Sequence, residues 1–149
     1  MTEANTTIET SPEQNQSYWS DVKELLDNED PRRKNDGVME LLLRMTPELL
    51  EEDYDTYEEG FDLTLKALSF EDTETTLCYP IRICAVCTLA NVLEHIQKNP
   101  KAEYAGIYAE AALAIENKAY DKEEHVRVRF SAKDAFRKYL KGSKNGIFK

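Results

Sequence analysis

The chain has 149 residues, 41% of them hydrophobic and 32% charged, with a formal net charge of −10. That composition suits one soluble domain with a moderate core, and the negative balance argues against broad affinity for nucleic acid or anionic membranes. No apolar run reaches the roughly 20 residues that span a bilayer, and the N-terminus lacks the basic start and apolar stretch of a secretory signal.

Three cysteines, Cys78, Cys84 and Cys87, fall in one ten-residue window. An odd count without a signal predicts reduced thiols in a cytoplasmic or nuclear protein that is not secreted.

Taken in order, Met1–Gln16 is polar with one isolated Ile8, too little apolar surface to order itself. It reads as a disordered N-terminal tail. A first helix is expected near Ser17, where Tyr18, Trp19, Val22, Leu25 and Leu26 recur at helical spacing. Asp30-Pro31 opens a second, with Asp30 as N-cap and Pro31 at the first helical position. Its stripe is Val38, Leu41, Leu42 and Met45, and Thr46-Pro47 ends it.

Glu48–Leu68 reads as one continuous third helix. Tyr54, Tyr57, Phe61, Leu65 and Leu68 form its stripe, and its other faces are crowded with carboxylates. A polar loop, Asp72–Thr76, precedes the most apolar stretch of the chain, Ile81–Leu93. A helix apolar on nearly every side must be covered on every side, so it is expected at the centre of a helical array. Asn99-Pro100 stops it. The fifth helix, Ala102–Lys118, carries Tyr104, Ile107, Tyr108, Ala111, Ala112 and Ile115. The sixth runs from about Glu123 to Leu140, with Val128, Ala132, Ala135, Phe136, Tyr139 and Leu140 facing inward and Gly142 as its stop. Residues 17–141 thus form a single domain, and 142–149 a flexible basic C-terminal tail.

Six helices invite a search for a period. Ile81–Leu93 and Val128–Leu140 align at an offset of 47 residues. Each opens on a β-branched residue and Arg, with a small residue at Ala85 and Ala132, a large one at Leu89 and Phe136, and a closing Leu. At an offset of 48, Lys34, Gly37 and Leu41 occupy the basic, small and large positions.

Asp30-Pro31, Ile81-Arg82 and Val128-Arg129, in this frame, resemble the second helix of HEAT and armadillo repeats. The resemblance covers about residues 17–141 and departs most in the first copy, where Arg33 replaces an apolar residue. It implies an all-α fold of three antiparallel helix pairs stacked as a short right-handed α-solenoid. It also implies repeat-stacking roles for the basic residues Lys34, Arg82 and Arg129, each bridging to carboxylates of an adjacent repeat.

Motifs for chemistry are thin. Cys84-Ala85-Val86-Cys87 places two thiols on one helical face, near Cys78 and His95, but zinc sites usually take two such pairs and there is one. Small apolar cysteines in a core account for the same residues. No phosphate loop, metalloprotease helix or calcium loop is present. No catalytic residue, metal or cofactor is assigned, and an enzyme is not expected.

Two surface features remain. The acidic third helix offers Glu51, Glu52, Asp53, Tyr54, Asp55, Tyr57, Glu58 and Glu59 as a face for a basic protein or peptide. Charge is also unevenly spread. Residues 1–117 hold 9 basic and 25 acidic side chains, net −16, and residues 118–149 hold 10 and 4, net +6. Self-association through acidic and basic ends follows as an expectation. The expected function is a non-catalytic adaptor or scaffold. The competing expectation is an acidic inhibitor or immunity-type protein that occludes a basic enzyme.

Overall fold

The computed structural model describes residues 18–141, so the tails expected over 1–16 and 142–149, and Gly142 as a stop, lie outside the described residues. The described residues form seven α-helices and no strand. They are α1 (Ser20–Asp27), α2 (Pro31–Arg44), α3 (Pro47–Glu52), α4 (Tyr54–Leu68), α5 (Tyr79–Lys98), α6 (Ala105–Ala119) and α7 (Val126–Ala135). A 3₁₀ turn, Ala102–Tyr104, leads into α6, and a π-helical turn, Phe136–Leu140, extends α7. No helix among the described residues is long and apolar enough to cross a membrane.

The N-cap read from the sequence is in place. The Asp30 carboxylate accepts from the Arg32 backbone N–H at 3.0 Å, with Pro31 at the first helical position. Thr46 Oγ1 accepts from the Leu49 N–H at 3.1 Å and opens α3 before Pro47.

The third helix is not continuous, which corrects the expectation for Glu48–Leu68. Asp53 leaves helical geometry at φ −150° and ψ 79°. Its N–H closes α3 on the Leu49 carbonyl at 2.8 Å. Its carboxylate then starts α4 by accepting from Thr56 N–H at 3.2 Å and Thr56 Oγ1 at 2.7 Å. An Asp side chain competes with the helix for backbone donors, so one residue ends one helix and caps the next. The break turns α4 so that Trp19 Nε1 donates to the Thr56 carbonyl at 2.8 Å. Gly60 makes room for that ring, since a Cβ there would lie 2.6 Å from Trp19 Cζ2.

α1 packs on α2, α4 on α5, and α6 on α7, and α5 also borders α2, α6 and α7. α5 is therefore the hub. Leu89, Leu93 and Ile96 are fully buried in it, each burial worth about 1.5–3 kcal/mol. The expectation that α5 is covered on every side needs correction. Cys87 is exposed and Ile83 and Ala90 are half-buried, because four neighbouring helices leave one strip of the cylinder open. The small positions Gly37, Ala85 and Ala132 are all buried. At Gly37 the approach is close, with a Cβ falling 3.0 Å from Leu26 Cδ2.

Candidate functional site

Three polar arrangements stand apart from the apolar core. The first is the acidic ridge of α3 and α4. Residues 48–62 hold eight carboxylates and no cation. The structure divides the expected contact residues into those already engaged and those free. Glu51 accepts from the Asn99 side-chain amide and pairs with Lys101 at 3.4 Å. Glu59 pairs with Lys23 at 2.7 Å. Asp53 is consumed in capping. Glu52, Asp55 and Glu58 are exposed, and among the described residues they have no ion pair. Tyr54 is half-buried and stacks on Tyr104 with ring centroids 5.7 Å apart.

Tyr57 does not belong to that surface. It is fully buried, and its hydroxyl lies 2.9 Å from His95 Nδ1. Its place in the stripe with Phe61 and Leu68 sends the ring inward, toward α5. Burial pushes the Tyr57 hydroxyl up, and burial also lowers His95 below its ordinary value, only partly opposed by Glu94 and Glu48. The bond thus joins a neutral imidazole to a protonated phenol, and the ring tautomer sets which of the two donates. Helical spacing on α4 shows that Tyr57 shares the Phe61 stripe. No local signal pairs it with a histidine 38 residues away.

The second arrangement surrounds Arg82, of which 5% is exposed. Its Nη2 lies 2.7 Å from Glu124 Oε1 and 3.0 Å from Asp72 Oδ2, and its Nη1 donates to the Phe70 carbonyl at 2.6 Å. Lys118 Nζ closes the cluster on Glu124 Oε2 at 2.6 Å. Burial pushes the Glu124 carboxyl up, but hydrogen bonds from Arg82 and Lys118 outweigh it and hold the group below its ordinary range. Asp72 is lowered in the same way, burial again being overcome by Arg82. The cluster floors an open cleft of about 700 Å³ whose rim includes Glu71, Asp121 and Glu123. Two cations and two carboxylates satisfy one another there, which makes the cluster a structural joint.

The other two basic positions differ from Arg82 and from each other. Lys34 Nζ donates to the Leu26 carbonyl at 2.7 Å and sits 4.2 Å from the Phe70 ring centroid, with no carboxylate partner among the described residues. It serves the C-terminal end of α1, where carbonyls lack helical partners and attract a cation. Arg129 is half-buried, and its Nε is buried without a hydrogen-bond partner among the described residues.

The third arrangement is the cysteine window. Cys78 and Cys84 are buried and Cys87 is exposed, all three as free thiols. Burial pushes Cys84 up to about 11, away from the thiolate that nucleophilic or metal chemistry needs. No group of three or more His, Cys, Asp or Glu among the described residues is arranged to hold a metal ion.

Family models, curated proteins and solved structures offer no match to this chain. The ridge presents exposed carboxylates with no ion pair among the described residues, at Glu52, Asp55 and Glu58.

Proposed function

We propose that this chain is a non-catalytic protein-interaction module, a small helical-repeat adaptor that offers the α3–α4 ridge to a basic protein segment. The observation that carries the reading is uncompensated charge: Glu52, Asp55 and Glu58 are exposed and unpaired among the described residues, on helices whose opposite faces are locked into the core. Such a face steers a cationic partner and reads its charge spacing, with half-buried Tyr54 adding apolar contact at one edge.

The architectural part of the proposal is that α1–α2, α4–α5 and α6–α7 are antiparallel pairs stacked as a short right-handed solenoid of the HEAT or armadillo kind. Its support is the row of neighbours α2, α5 and α7, the shared burial of Gly37, Ala85 and Ala132, and the reach of Arg82 to Glu124 in the following pair. Free thiols fit a reducing cytoplasm as the place of action.

The test is binding of an oligolysine peptide, measured by titration calorimetry across a salt series. The variant Glu52→Lys/Asp55→Lys/Glu58→Lys is expected to weaken binding at least about tenfold. Glu103→Lys/Glu110→Lys/Glu116→Lys makes the same change in net charge at exposed sites elsewhere and is expected to bind nearly as the unmodified chain does. Equal losses in the two variants would reduce the ridge to bulk charge and sink the proposal.

A further inference from the structure

Arg82 and Arg129 hold the same place in the 47-residue spacing and meet different fates. Arg82 receives a carboxylate from Glu124, which precedes α7 in the next helix pair. Arg129 makes no ion pair among the described residues, and its Nε is buried there without an acceptor.

The surroundings of Arg129 have the character of an unfinished contact. Arg129, Lys133 and Phe136 succeed one another at i, i+4 and i+7, so they share one face of α7 and its π-helical extension. Tyr120, the C-cap of α6, meets Phe136 edge-on at 5.8 Å, and Lys133 Nζ lies 5.9 Å from the Tyr120 ring centroid. Leu113 of α6 lies seven residues before Tyr120, and the two are 57% and 61% exposed. Apolar groups beside cations suit an acidic surface that brings its own apolar contacts.

We infer that the terminal face of α6 and α7 is a docking surface for a second copy of this chain, whose α3–α4 ridge supplies carboxylates to Arg129 and Lys133. Charge complementarity selects the occupant. Residues 126–141 hold six cations and one carboxylate, against eight carboxylates and no cation over 48–62. α4 and α7 both pack on α5, one chain carrying both halves of the contact on different helices. The inference rests on the reading of the ridge as a face for basic partners, and it names that partner. Because the two faces differ, the contact is head-to-tail, and it propagates beyond a dimer unless it closes into a ring.

Sedimentation velocity on the full chain tests this, over a range of concentrations at low and at physiological ionic strength. The unmodified chain is expected to show a mass that grows with concentration and falls with salt. A terminal-face variant, Arg129→Glu/Lys133→Glu, and the ridge variant Glu52→Lys/Asp55→Lys/Glu58→Lys should each lose association at least about tenfold by themselves. Mixed in equal amounts, they should regain it, because each repelling face then meets its opposite. Restoration also shows that both variants are folded. An unmodified chain that stays monomeric throughout overturns the inference, as does a terminal-face variant that associates normally or a mixture that fails to recover. The oligolysine titration separates this inference from the proposed function. If the terminal-face variant still binds the peptide, the ridge reading survives the loss of self-association. If even the unmodified chain does not bind it, the ridge reading is itself wrong.

Discussion

Arg82 shows how one side chain is held where burial alone would reject it. A guanidinium with 5% of its surface exposed is tolerable because Glu124, Asp72 and the Phe70 carbonyl together occupy its donors. Removing one member leaves the others charged and buried, which is the costly case. Arg82→Met is therefore expected to destabilise the fold by about 3–5 kcal/mol, and Arg82→Met/Glu124→Leu by less than Arg82→Met does, although it removes more hydrogen bonds. Urea denaturation followed by circular dichroism distinguishes the two. A double variant no better than the single would mean that the cluster stabilises by its attraction and not by mutual neutralisation. Arg at position 82 was legible in the sequence as a basic residue opening an apolar helix. Its acceptor was not, because Glu124 is 42 residues away and looks locally like any carboxylate in a charged turn.

Between elements, the junction of α1 with α4 depends on a missing atom. Trp19 is fully buried, donates to the Thr56 carbonyl and lies flush against Gly60. Gly60→Ala puts a methyl 2.6 Å from Trp19 Cζ2, and a fully buried ring has nowhere to move. The expected cost is about 1–3 kcal/mol, seen as a lower urea midpoint with a shifted emission from the single tryptophan. Gly106, in the first turn of α6, has open space where its Cβ would be. Gly106→Ala should be neutral or stabilising by up to about 1 kcal/mol, the gain expected from helix propensity alone. A similar loss in both variants would point to helix chemistry and away from the Trp19 contact. Glycine at 60 inside a helical stripe was visible in the sequence. That an aromatic ring from the first helix fills its place is a fact of tertiary packing.

At the scale of the whole molecule, acidity acts in two separate windows. His95 is held below its ordinary value of 6.5, chiefly by burial, so the unfolded chain binds that proton more readily than the folded one. Stability from the neutral His95 is complete above 6.5 and is lost as pH falls below it. Asp72 and Glu124 are also depressed, but their contribution is present above 3.8 and 4.5 and disappears only as pH falls through and below those values. Urea midpoints are thus expected to drop between pH 6.5 and 4.5 in the unmodified chain and to stay nearly flat there in His95→Gln, with both falling below. Gln keeps an acceptor for the Tyr57 hydroxyl, so the comparison isolates the proton. An unmodified chain as flat as the variant would place His95 in solvent and remove its bond to Tyr57.

What the sequence by itself determined is local in origin. Apolar residues at helical spacing, Asp30-Pro31, Thr46-Pro47 and Asn99-Pro100 were enough for an all-helical chain and for α5 as its hub, though not for the break at Asp53. These signals act over one or two turns of backbone, so they are readable in order along the chain. Tertiary structure decided which charges were already spent. It turned Tyr57 inward to His95, gave Glu51 to Lys101 and Glu59 to Lys23, and left Glu52, Asp55 and Glu58 in solvent. It also made Asp53 a joint between two helices, since a side chain that satisfies backbone donors does so only where the chain can turn to meet a neighbour. Carboxylates of one helix look alike in sequence; only the groups brought beside them from other helices, 36 residues away for Lys23 and 50 for Lys101, separate a paired one from a free one.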